Sequence, residues 1–184
     1  MHLVSLRSSI AAFAVAFVAF GAAAQTAAPM KAGLWQIHVE REENGQKLPD
    51  ASQRMKDHMK DMTPERRKQF EEMMKQRGVD LSGGNEIKLC YSQKMVERRA
   101  WADQGTCKTD YSSRTANFWK WHSSCAQMSY EGDGEATFPD SENFTVKSSG
   151  VSTVGGKSRA SSSTRTGKWL GADCGELKPM DSTP

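Results

Sequence analysis

The side chains in this 184-residue chain best suited to chemistry carry sulfur. Met55, Met59 and Met62 are spaced four and three apart with His58 between them. On a helix, that spacing puts three thioethers and an imidazole along one side. Such donors suit Cu(I), so Met55, His58, Met59 and Met62 are a candidate metal set. The same spacing describes a packing stripe, because methionine fills irregular gaps between elements, and packing is the expected role. The second sulfur set is Cys90, Cys107, Cys125 and Cys174, at intervals of 17, 18 and 49 residues. No C-x-x-C occurs and no histidine stands at ligand spacing, which argues against zinc and for two disulfides. Four cysteines permit three pairings, and sequence alone does not choose among them. The nearest-neighbour scheme, Cys90–Cys107 with Cys125–Cys174, is the preferred expectation.

Other chemistry has less support. There is no Gly-x-Ser-x-Gly, no His-Glu-x-x-His and no phosphate-cradling glycine loop. His38, His58 and His122 stand apart in sequence, and the acid pairs Glu42-Glu43 and Glu71-Glu72 are adjacent, which turns their side chains away from each other. No enzymatic activity and no cofactor are expected. Lys157, Arg159, Arg165 and Lys168 form a basic stretch that suits anionic lipid or glycan; its expected role is a charged edge strand.

The elements that must position these residues are legible as changes of period. Trp35, Ile37 and Val39 alternate with Gln36, His38 and Glu40, so 33–43 predicts a half-buried strand, ended by the turn Asn44-Gly45. From Pro49 to Gly78 the chain is rich in Met, Lys, Arg, Glu and Gln, good helix formers. Phe70, Met73 and Met74 make a second apolar stripe, Thr63-Pro64-Glu65 a helix start, and Gly78 a stop. Two helices, 51–61 and 64–77, are predicted as an insertion spanning 50–78. A strand follows at 86–92, a short helical or irregular piece at 93–103 carrying Trp101, and a strand at 115–124 with Trp119 and Trp121 on one face. Beyond Cys125 lie short Ser/Thr-rich strands, with Glu131-Gly132-Asp133-Gly134 and Gly155-Gly156 expected as hairpin turns. Residues 177–184 are expected to form a flexible tail without core residues.

Residues 1–24 read as a secretory signal: Arg7, an apolar run from Ile10 to Phe20, then Gly21-Ala22-Ala23-Ala24. Cleavage near Ala24 predicts a periplasmic or secreted product, and no later run is long enough to span a bilayer. The exported part holds 24 basic and 22 acidic side chains, which argues against a nucleic-acid partner. Leu, Ile, Val and Phe fill only 18 of its 160 positions, so cross-links and tryptophans must compensate for a thin aliphatic core. Trp35, Trp119 and Trp121 are the expected core aromatics.

The signal, then Lys31-Ala32-Gly33-Leu34-Trp35-Gln36, a Met-rich stretch ending Met73-Met74-Lys75-Gln76-Arg77-Gly78, Leu89-Cys90, Cys107-Lys108, Cys125 and Asp173-Cys174 together resemble the bacterial exported family called domain of unknown function 3617. The resemblance implies a small periplasmic β-rich domain with two disulfides and no established activity. The Lys-Met-Val-Glu-Arg-Arg segment at 94–99 departs from the family pattern, where acidic and proline residues are more usual. Met62 to Arg66 is also faintly similar to the Leu-Thr-x-x-Gln element of small periplasmic helical chaperones, with Arg66 or Arg67 in the glutamine's place.

The sequence thus predicts one mainly β domain over 25–176: a curved antiparallel sheet or partly closed barrel carrying a two-helix insertion and stabilised by disulfides. Its expected role is a non-catalytic binding or envelope-associated protein, with an envelope protein or small ligand as partner. The alternative is a chaperone-like or copper-handling protein acting through the Met-rich helices.

Overall fold

The computed structural model describes residues 29–49, 51–81, 86–98 and 107–180. The expected leader and Trp101 lie outside the described residues. In chain order the elements are β1 (Gly33–Glu43), β2 (Gln46–Lys47), α1 (Ala51–Lys60), α2 (Pro64–Gln76), β3 (Val79–Asp80), β4 (Ile87–Tyr91) and α3 (Gln93–Arg98), followed by β5 (Cys107–Arg114), β6 (Phe118–Cys125), β7 (Tyr130–Asp140), β8 (Asn143–Val154) and β9 (Lys157–Gly171). All nine strands join one antiparallel sheet in the order β3-β4-β1-β9-β8-β7-β6-β5, with β2 beside β1. β3 and β5 do not pair with each other, so the sheet stays open and no barrel forms. Among the described residues no helix is long and apolar enough to cross a membrane.

Local chemistry sets the reversals. Asn44 and Gly45 take φ of 50° and 77°, and Gly155 and Gly156 take 58° and 75°. Two consecutive left-handed residues match the right-handed twist of the flanking strands, which is why Asn-Gly and Gly-Gly stand there. β5 to β9 then run as a meander, and β1 pairs β9 from Leu34↔Gly171 to Glu43↔Ser161. The first and last long strands are therefore neighbours.

One expected turn is a strand instead. Glu131-Gly132-Asp133-Gly134 lies inside β7, paired with Ser124–Trp121 of β6 on one side. The glycines answer to packing. A Cβ on Gly134 would stand 2.3 Å from the Trp121 ring, and one on Gly132 would stand 2.2 Å from the Tyr130 hydroxyl. Gly167 of β9 is covered in the same way by Phe144, at 2.2 Å. Each ring lies flat where a side chain would otherwise rise. β5 was not anticipated as a strand, because its sequence, Cys-Lys-Thr-Asp-Tyr-Ser-Ser-Arg, alternates with almost no aliphatic side chains.

The apolar ends of the inward rungs make the core. Trp35, Ile37 and Val39 of β1, Phe144 of β8, Ala136 and Phe138 of β7 and Trp119 of β6 are all buried on one face. Val96 of α3 and Met30, each 2% exposed, join the same cluster. The Trp35 ring, fully buried, tilts against Phe144 at 5.2 Å and donates its indole N–H to the Lys31 carbonyl at 3.0 Å. Trp119 does the same to the Thr115 carbonyl at 2.9 Å, so both buried indoles are satisfied. Trp121 is only half-buried.

Three further expectations are corrected. The disulfides are Cys107–Cys125 and Cys90–Cys174 rather than Cys90–Cys107 and Cys125–Cys174. The register of the β5–β6 hairpin places Cys107 directly opposite Cys125, with Cα atoms 4.1 Å apart, so the hairpin selects that pair and leaves Cys90 for Cys174. The basic stretch is not an edge strand, because β9 lies between β1 and β8. The tail is not without core residues: Leu177 is 8% exposed, and Met180 N–H donates to the Cys90 carbonyl at 2.7 Å, while 181–184 lie outside the described residues.

Candidate functional site

The helical insertion is built from its ends. Thr63, in extended conformation, accepts a hydrogen bond from Arg66 N–H, Pro64 occupies the first turn, and Glu65 sits at the positive end of the dipole. At the other end Gly78, with φ of +77°, donates its N–H to the Lys75 carbonyl at 2.9 Å. α2 buries none of its residues, and Met73 is 41% exposed. The Phe70–Met73–Met74 stripe is therefore amphipathic without being core.

Met74 of the stripe borders a cavity of about 430 Å³ between the two helices and β3. Its apolar lining comes from Met59 of α1, Met74 of α2, Val79 of β3 and Leu81 just after it; Met59 and Leu81 are each 8% exposed. Its polar lining is mostly cationic: Lys56 and Lys60 on α1, and Arg67 and Lys75 on α2. Glu71 and Asp80 supply the negative charges in the wall. Lys60 donates to Asp57 at 2.7 Å and Lys75 to Glu176 at 2.5 Å. Those two contacts hold both ammonium groups above the ordinary lysine range and the two carboxyls below the ordinary carboxylate range. Lys56 and Arg67 have no ion-pair partner among the described residues.

The far wall is fastened to the sheet by the carboxy-terminal segment. Lys178 N–H donates to the Lys75 carbonyl at 3.1 Å, and Cys90 N–H donates to the Gly78 carbonyl at 2.9 Å. A Cβ on Gly78 would collide with the Lys178 carbonyl at 2.5 Å, so only glycine allows the segment to lie that close. The Cys90–Cys174 bridge closes this joint covalently. The cavity thus has one wall, α2 and β3, pinned through the disulfide, and one wall, α1, that carries Met59.

The structure separates several residues considered above. Of the methionine set, Met59 is buried in the cavity wall, Met55 and Met62 are half-buried, and His58 is exposed. The stripe runs from a packing side to a solvent edge. His38 and His122 lie on the outer face of the sheet, where His122 Nδ1 is 3.1 Å from Asp133 Oδ1. Glu71 and Glu72 diverge, with only Glu71 in the cavity wall. Sequence reasoning missed Lys56, Arg67, Lys75 and Leu81. Arg67, Glu71 and Met74 do recur at i, i+4 and i+7, a face legible as a pattern. Leu81 follows a two-residue strand that carries no periodic signal.

Residues 30–174 match a family model described as a protein of unknown function, DUF3617. The chain belongs to this family. The matched stretch, from Met30 to Cys174, holds the whole described sheet and both α1 and α2. An uncharacterized protein encoded in the lpd-3 5′ region of Pseudomonas putida is 29% identical over 122 residues, covering 64% of this chain and 83% of that protein. No solved structure matches the chain.

Proposed function

We propose that this member of the family is an exported, non-catalytic binding protein, and that its ligand seat is the cavity between α1, α2 and β3. The observation that carries the reading is the pairing of a sulfur-rich apolar floor with a cationic rim in one concave site. Such a site receives a small amphipathic anion: an apolar body against Met59, Met74 and Leu81, and an anionic head against Lys56 and Arg67. Methionine suits this role because its unbranched, polarisable side chain adapts to different apolar shapes. Two disulfides and an Ala-rich leader support an oxidising compartment outside the cytoplasm.

Titration of the purified protein with anilinonaphthalene sulfonate, monitored by fluorescence, tests the seat. Saturable binding at ~10 μM is expected, lost in Met74→Lys and weaker for the uncharged probe N-phenylnaphthylamine. Undiminished binding in Met74→Lys, at an unchanged thermal midpoint, refutes this placement. Export is tested separately: the mass of the mature protein should correspond to a chain beginning at Gln25.

A further inference from the structure

Beyond Val39 the inward rungs of the sheet change from aromatic to hydroxyl and guanidinium. Arg41 of β1, Arg165 of β9 and Arg54 of α1 line one cavity of about 350 Å³, with Ser148 of β8, Ser163 of β9 and Tyr130 of β7 also in its wall. Three cations supplied by three separate elements converge on it. Like charges brought together repel one another, and the closer and drier the site, the stronger the repulsion. The carboxylates nearby do not neutralise Arg54 or Arg165. Of the two carboxylates in the wall, Glu43 is held by Arg159 at 3.4 Å, and Glu42 stands on the rung of Ser162, one position off the rungs that carry Ser163 and Arg165. Among the described residues neither Arg54 nor Arg165 is ion-paired.

The neutral donors converge on the same cavity. Ser148 Oγ and Ser163 Oγ lie 2.9 Å apart and share one hydrogen bond, so one of the two hydroxyl protons is left to donate elsewhere. The Tyr130 ring lies down over Gly132 and Gly150, where no Cβ rises, and this brings its hydroxyl onto the sheet floor. Forked guanidiniums plus hydroxyl donors match a tetrahedral oxyanion, whose several oxygens accept bidentate bonds from arginine. A carboxylate offers only two oxygens and one charge.

We propose that this second cavity binds a phosphoryl or sulfuryl oxyanion, through Arg54 and Arg165 with Arg41, Ser148, Ser163 and Tyr130 around it. The site is separate from the helix–β3 cavity and does not depend on it. Isothermal titration with inorganic pyrophosphate, and co-sedimentation with phosphatidylglycerol vesicles, distinguish a free oxyanion from a lipid headgroup. Arg54→Gln and Arg165→Gln should each weaken binding about tenfold. Both residues are exposed, so the thermal midpoint should hold. Arg165→Lys should recover only part of the loss, because the charge returns without the fork. Met74→Lys should leave oxyanion binding intact, and its loss there would overturn the assignment to this cavity. Pyrophosphate binding that the arginine variants weaken supports a free oxyanion. Vesicle binding alone, lost in the same variants, supports a headgroup. Absence of both, or either one undiminished in the Arg54→Gln/Arg165→Gln double variant, overturns the proposal.

Discussion

Removal of the Cys90–Cys174 bridge, by Cys90→Ala with Cys174→Ala, should cost this protein more than removal of Cys107–Cys125. The two bridges span 84 and 18 residues. Loop-closure entropy assigns about 4.6 kcal/mol to the longer and about 3.2 kcal/mol to the shorter, a difference near 1.4 kcal/mol. The shorter bridge also lies across two strands whose register is already set by backbone pairing, so the native hairpin keeps its geometry without it. The longer bridge has no such ladder to replace it: the tail is otherwise held by the burial of Leu177 and a few local contacts, among them Lys178 to Lys75, Met180 to Cys90, Ser92 to Met180 and Lys75 to Glu176. Urea unfolding of the two double variants, followed by tryptophan fluorescence without reductant, measures both costs. The Cys90/Cys174 variant should also bind anilinonaphthalene sulfonate more weakly in its native baseline, since α2 and β3 lose their tether. A Cys107/Cys125 variant that is the less stable of the two would refute the argument, as would a cost below about 1 kcal/mol for the longer bridge.

Other perturbations follow from the packing. Gly134→Ala places a Cβ 2.3 Å from the Trp121 ring and Gly167→Ala one 2.2 Å from Phe144, so each should destabilise by about 1–3 kcal/mol in chemical unfolding. Trp35→Ala, at a fully buried ring, should cost about 3–5 kcal/mol, and a smaller loss would mean the core collapses around the gap. Desolvation, partly opposed by Arg165, pushes the Tyr91 hydroxyl up to about 12 from 10.0. A raised value stabilises the fold below pH 10 and that contribution fades as pH climbs toward about 12; absorbance titration of phenolate in Tyr91→Phe against the parent locates it. Glu176 is depressed by Lys75, so its contribution to tail docking is present above the ordinary value of 4.5 and fades as pH falls through the lowered one. The hydrogen-exchange protection factor at Lys178 N–H, taken against the intrinsic rate at each pH, should be high near neutrality and lower in acid, and reads that change.

The periodic segments were legible in the sequence for a simple reason: their physics is local. Trp35-x-Ile37-x-Val39 alternates because a half-buried strand has period two, and Thr63-Pro64 with Gly78 brackets α2 because helix ends must satisfy their own N–H and C=O groups. Asn44-Gly45 and Gly155-Gly156 read correctly as turns, since left-handed backbone demands those residues wherever they occur. Glycine was misleading at 132 and 134, where the demand comes from Trp121 and Tyr130, rings lying flat over those positions. β5 was silent because its inner rungs Cys107, Thr109 and Tyr111 are mostly polar, and the register shift after Tyr111 brings Arg114 beside Trp119, which breaks the alternation.

The sequence by itself determined that the fold is mostly β, through its alternating segments and turn residues, and that four cysteines are available to bridge a core poor in aliphatic side chains. Those are properties of residue type and short-range spacing. The tertiary structure decided which cysteines meet, that β9 is central, and that Arg41, Arg54 and Arg165 share a cavity. Each depends on strand register or on the pairing of β1 with β9, contacts between residues over a hundred positions apart. No local pattern encodes such proximity; it arises only when the whole sheet assembles.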